Sequence, residues 1–252
     1  MKTSTHLLGL LAGLVVCQSA LAQGVDELGA YGGLEEKDRL RSEQNFAFEL
    51  RFGPYRPNVD AEFSDARPFE NTFGTDTRIL FGIEFDWQAL RIPYFGSIGP
   101  GIGWGYTSMS ANAWLADGTG RADQETSLSI MPLYLVGVAR VDVLARETPV
   151  PLVPYAKAGL GYALWWTSDG DGAHSYQGVE GKGTSKGYQF ALGGMLELDF
   201  LDQDTALNMD ASIGVNHASF FMEWYFARLD GFGGGDMHVG TSTWMLGLVV
   251  EM

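Results

Sequence analysis

The residues of this chain best placed to do chemistry together are His217, Ser219 and Glu223, which follow one another closely in Asn216-His217-Ala218-Ser219-Phe220-Phe221-Met222-Glu223. Side chains two apart on an extended strand share a face. His217 could therefore take the hydroxyl proton of Ser219 as a general base, with Glu223 orienting the imidazole, the arrangement of a serine nucleophile in acyl transfer. A hydrogen-bonded motif at a strand end accounts for the same residues without any reaction. No other set competes: there are four histidines and one cysteine, and no HExxH, GxSxG or P-loop motif. Asp169-Gly170-Asp171-Gly172 lacks the spacing and closing Glu of a calcium loop, and His174 beside it has no spaced partner. No metal and no cofactor are expected.

The elements that must carry these residues are strands. Phe46, Phe48, Leu50 and Phe52 alternate with Ala47, Glu49, Arg51 and Gly53, and Ile79, Phe81, Ile83, Phe85 and Trp87 alternate with Leu80, Gly82, Glu84 and Asp86, at the period of two that defines a strand. Similar runs occupy residues 98–106, 160–166, 188–200, 207–215 and 244–252, with a weaker one over 128–143. The connections between them read alternately long and short, the long ones being 55–75, 108–125, 167–186 and 216–237. Eight such strands with that rhythm predict an all-β fold, an eight-stranded antiparallel up-and-down transmembrane β-barrel with short periplasmic turns and long extracellular loops.

A barrel this narrow fills its interior with side chains, so the glycine and charged rows should point inward and the aromatic and aliphatic rows toward lipid. The expected lumenal charges are Glu49, Arg51, Arg78, Glu84, Asp86, Arg140, Lys157, Glu197, Asp199 and Asp210, which need partners because buried charges demand pairing. Trp87, Trp104, Tyr106, Trp166 and Trp244 lie near strand ends, where interfacial aromatics gather. Gly247, Val250 and Met252 in the last six residues resemble the terminal strand signal read by the barrel-assembly machinery.

Composition sets the outer limits. Lys and Arg number 16 against 31 Asp and Glu, a formal net charge of −15, which leaves no basic surface for nucleic acid. Lys2, the apolar run Leu7 to Val16 and Ala20-Leu21-Ala22 have the form of a cleaved export signal over residues 1–22. Its removal would take Cys17, the sole cysteine. Residues 23–44 do not alternate and read as a periplasmic lead-in with a short charged helix around Leu34 to Leu40. The barrel is expected over 45–252. No later apolar run reaches the length of a membrane-spanning helix.

Several segments carry a family resemblance: Phe48-Glu49-Leu50-Arg51-Phe52-Gly53-Pro54-Tyr55-Arg56-Pro57, Gly101-Ile102-Gly103-Trp104-Gly105-Tyr106, Tyr155 to Trp166, and His238 to Trp244. They resemble an uncharacterised outer-membrane β-barrel family of myxobacteria and their relatives, over about residues 45 to 252. That resemblance implies a barrel in the outer membrane of a Gram-negative bacterium and no particular reaction. His217-x-Ser219 also resembles outer-membrane lipid A deacylases, with Phe220-Phe221 where those enzymes carry Asn-Ala. The expected role is a monomeric structural or surface-interaction barrel with no open pore, whose partners are outer-membrane lipid, lipopolysaccharide and, during biogenesis, the assembly machinery. Two alternatives stand beside it: a lipid hydrolase acting through His217 and Ser219, and a soluble periplasmic ligand-binding barrel, which would turn the aromatic rows inward.

Overall fold

In a computed structural model, residues 45–114, 120–148, 150–169, 172–173, 175–176, 179–198 and 217–252 are described. Eight long strands dominate them: β1 (Phe46–Tyr55), β2 (Arg78–Trp87), β3 (Gly96–Trp114), β4 (Arg121–Arg140), β5 (Leu152–Asp169), β6 (Lys182–Glu197), β7 (His217–Leu229) and β8 (Thr241–Glu251). Each pairs antiparallel with its chain neighbours, and β8 pairs with β1, so the sheet closes with no free edge. We call the rim that holds Phe46 and Glu251 the lower rim. Two short helices lie outside the wall, α1 (Pro68–Phe73) in the first upper connection and α2 (Val143–Glu147) at the lower rim.

The register fixes the geometry. A row of register positions starting at Thr184 on β6 runs through Leu164, Met131, Tyr106, Phe81, Phe52, Leu246 and Met222, and returns to β6 at Gly194, ten residues along the strand. A stagger of that size over eight strands tilts them by roughly 40° and leaves an interior just wide enough for side chains.

Alternation then sorts the residues. Phe48, Leu50, Phe81, Ile83, Leu135, Leu160, Leu192, Met222 and Leu246 face out, while their neighbours Glu49, Arg51, Gly82, Glu84, Val136, Gly161, Ala191, Phe221 and Met245 face in. The interior is layered. Beneath the upper rim, Tyr55, Leu80, Met109, Ile130, Tyr225, Leu229 and Met245 form an apolar cluster, closed from above by Val59 and Phe69 of the first connection and Val239 of the last. Near the lower rim, Ala47, Val153, Tyr155, Met195, Phe221 and Val249 form a second. Gly247 sits where the wall and this cluster meet: a Cβ there would stand 2.0 Å from the Leu50 carbonyl oxygen and 2.5 Å from the Phe221 ring.

Two expectations are corrected. The seventh strand described is His217–Leu229, so a segment read as part of the long connection 216–237 is wall, while the strand expected over 207–215 lies outside the described residues. The loop rhythm also differs. β3 and β4 extend through most of 108–125, a segment expected as a long connection.

Candidate functional site

Between the two apolar layers the inward rows of five strands bring charge together. Glu49 and Arg51 come from β1, Glu84 and Asp86 from β2, Arg140 from the end of β4, Lys157 from β5 and Glu223 from β7. Alternation with large outward residues forces them in: Arg51 lies between Leu50 and Phe52, and Glu223 between Met222 and Trp224. Arg51 is the hub. Its guanidinium donates to Glu84 at 2.7 Å, to Glu223 at 2.5 Å and to the Tyr134 hydroxyl at 2.5 Å. Lys157 Nζ donates to Glu49 Oε2 and Glu84 Oε1, both at 2.6 Å. Arg140 donates to Asp86 and, at 3.2 Å, to Glu49, and the Tyr155 hydroxyl donates to Glu223 at 2.9 Å.

The three glutamates are at most 1% exposed, so each carboxylate depends on these partners for the solvation that water would otherwise supply. Aromatic faces complete the surroundings: Lys157 Nζ lies 5.1 Å from the Tyr155 ring centroid, and the Arg51 guanidinium lies 5.7 Å from that of Tyr134. Satisfaction is incomplete, since Arg51 Nε, Arg140 Nε and Asp86 Oδ1 have no hydrogen-bond partner. Glu49, Glu84 and Asp86 place carboxylate oxygens within 4.8 Å of one another, close enough to share an ion. The Lys157 ammonium already bridges two of them.

This network unites six of the expected lumenal charges: Glu49, Arg51, Glu84, Asp86, Arg140 and Lys157. Arg78 stands apart, half-buried at the top of β2, with its side chain turned to the Thr77 carbonyl. Glu197 ends β6 at the lower rim, and Asp199 and Asp210 fall outside the described residues, as does His174. Glu223 and Tyr134 are members that period-two reading alone did not assign here. The signal for Glu223 was its inward parity with Phe221 and Tyr225, which is clear only once β7 is placed.

His217, Ser219 and Glu223 do share a face of β7, and that face is the interior. All three are buried, and Glu223 is held by Arg51 and Tyr155. A lipid hydrolase working from the barrel exterior would need them on the other face. Trp87, Trp104, Tyr106, Trp166 and Trp244 face outward; the Tyr106 and Trp166 rings lie tilted against each other with centroids 6.3 Å apart. Just above this pair the outward surface becomes polar, with Ser108 and Ser129 joined at 3.0 Å and Ser127 and Ser168 at 2.6 Å.

No family model matches the chain, and no curated protein matches it. Among solved structures it is similar to the outer membrane protein OprG from Pseudomonas aeruginosa at 13% identity, covering 84% of this chain and 97% of that one, with a TM-score of 0.47. It is also similar to Neisserial surface protein A at 10% identity, covering 82% and 96%, with a TM-score of 0.44. Ail of Yersinia pestis, solved with a heparin analogue, follows at 9% identity, 83% and 97% coverage and a TM-score of 0.42. Likenesses this distant leave the chain's activity open. The closed eight-strand order rests on its own hydrogen-bond register.

A large cleft opens at the upper rim, about 1010 Å³, between the first connection and the tops of β7 and β8. Arg56, Glu70, Arg228, Asp230 and His238 are on its walls, with Phe226 and Ser242 below. Burial holds the His238 imidazole below its usual pKa, although Asp230 and Glu62 act in the opposite direction.

Proposed function

We propose that the chain is an outer-membrane β-barrel protein with no open pore, embedded by its outward face and presenting its upper connections to the exterior. One observation carries this reading: a belt of exposed large hydrophobics runs right round a closed barrel. Ile102, Leu160 and Leu192 are each 61–62% exposed, and Phe52, Phe85, Leu135, Phe220, Trp244 and Leu246 extend the belt over every side. Soluble monomers rarely expose apolar patches beyond a few hundred Å². The barrel's stagger puts the belt at about 23 Å in height, close to the roughly 25 Å apolar band of an outer-membrane barrel. A soluble ligand-binding barrel needs the opposite arrangement, whereas here the charged rows are inside.

Closure removes every unpaired sheet edge, which hydrocarbon would not tolerate. The plug of ion pairs between two apolar layers argues against a channel role. Extraction tests the reading: the folded protein should require detergent and migrate differently on gels before and after heating. Recovery of a well-folded species in plain buffer would overturn it, and large stable conductance in planar bilayers would overturn the closed interior.

A further inference from the structure

We infer that the outward face of β6, β7, β8 and the top of β1 is a docking site for a phosphate-bearing lipid of the outer leaflet, held by Lys186, Arg228 and Arg56. This rests on the membrane reading above. In a chain with almost twice as many acids as bases, cations on the outward face call for an explanation. With the observed stagger, one residue climbs about 2.5 Å along the barrel axis and one step between strands shifts the row about 3 Å. On that grid Lys186 on β6, Arg228 on β7 and Arg56, one residue beyond β1, stand within about 3 Å of one another in height, with Ser242 on β8 between the last two. At that height on β2 and β3 the outward residues are Thr77 and Ser108, which are uncharged. Arg78, at the same height on β2, has the inward parity and is turned to the Thr77 carbonyl, so the outward cations at this height form an arc over β6, β7 and β1.

The arc sits directly over a greasy floor. Tyr188 is opposite Arg228 in the register and Tyr162 is opposite Lys186. Below them Tyr188, Phe190, Phe226 and Trp224 form a continuous aromatic patch, with neighbouring ring centroids 5.6–6.5 Å apart. Headgroup anions and acyl chains thus meet their complements in the right vertical order. Arg56 and Arg228 open on the same 1010 Å³ cleft, which gives a bulky headgroup room.

The cleft itself also carries five acids, Asp60, Glu62, Asp65, Glu70 and Asp230, so the phosphates are placed against the outward arc and not deep in the cleft. Glu70 contacts Arg56 at 3.1 Å and Asp230 contacts Arg228 at 2.7 Å, each leaving guanidinium N–H groups over. Asp60 accepts the Phe69 and Glu70 backbone N–H groups at the start of α1, and Glu62 accepts that of His238. Lys186 is exposed and makes no ion pair with a described residue.

Native mass spectrometry of the full folded chain, released from micelles doped with a defined lipid, tests this. The wild type should retain diphosphoryl lipid A about tenfold better than phosphatidylcholine, and excess inorganic phosphate should not displace it. The triple variant K186Q/R228Q/R56Q, still heat-modifiable on gels, should lose most of that preference, while Arg91→Gln at the lower rim should keep it. Equal retention of both lipids by the wild type, displacement by free phosphate, or full retention by the triple variant would each overturn the site. The lipid comparison on the wild type stands even if the triple variant fails to fold. A detergent-requiring barrel indifferent to the phosphorylated lipid defeats this inference alone; a barrel that folds in plain buffer defeats the reading beneath it.

Discussion

Lys157→Met keeps the length of the side chain and removes its charge from the centre of the plug. The ammonium makes two contacts of 2.6 Å, to Glu49 and Glu84. Hydrogen bonds to charged groups contribute roughly 1.5–3 kcal/mol each, which puts the two at about 3–6 kcal/mol. Breaking a buried pair from one side independently costs about 3–5 kcal/mol, because the remaining charge stays buried. Arg140 and Arg51 still reach Glu49 and Glu84, so we expect the lower half of that range, about 3 kcal/mol. Urea titration of the barrel refolded in lipid vesicles, followed by tryptophan fluorescence and gel mobility, measures it. The double variant K157M/E49Q should recover a substantial part of the loss, since it removes one of the stranded charges. A loss under about 1 kcal/mol for Lys157→Met, or no recovery in the double variant, would refute the claim that pairing holds this layer together.

Other outcomes follow from the same geometry. Leu192→Arg, at mid-height on the lipid face, should cost about 2–4 kcal/mol, and Thr184→Arg, above the belt on the same strand, about 0–1 kcal/mol; equal costs would mean that the belt does not face hydrocarbon. Ser219→Ala should leave lipid A acylation unchanged in cells overproducing the protein, as judged by mass spectrometry of the extracted lipid; an acylation change abolished by the substitution would revive the hydrolase. The His238 imidazole, titrated by NMR in micelles, should show a midpoint below that of a free histidine. Because the folded state disfavours its protonation, its share of upper-rim stability is present above the unfolded pKa of roughly 6.5 and is lost as pH falls through the folded value. Protection of the amides in residues 230–240, corrected for the intrinsic pH dependence of exchange, should fall over that acid range, and unchanged protection would contradict the assignment.

Much of the wall was legible from period two because bilayer and interior impose opposite chemistries on alternate residues. Where either condition relaxes, the pattern fades. β7 escaped because its inward positions include Phe221 and Tyr225, which belong to the interior's apolar layers, so both faces of Phe220 to Phe226 look greasy. The upper halves of β3 and β4 escaped for the reverse reason. Above Tyr106 and Trp166 the outward face meets water, and Ser108, Ser110 and Asn112 read as loop although they continue the sheet. The ionic plug was mostly legible from inward parity alone. Glu223 was not, because its most visible neighbours, His217 and Ser219, suggested a reaction instead, and only the register brings it to Arg51, 172 residues away in the chain.

That separation bears on how the molecule is made. The plug draws on β1, β2, β4, β5 and β7, and the seam that brings β8 beside β1 joins Ala47 to Glu251. A half-built wall would expose charged side chains short of their full set of partners along with two raw edges, and Arg51 would lack Glu223 until β7 arrives. Insertion should therefore proceed as one cooperative event in which the first and last staves meet late, with partly assembled intermediates too costly to accumulate in the bilayer.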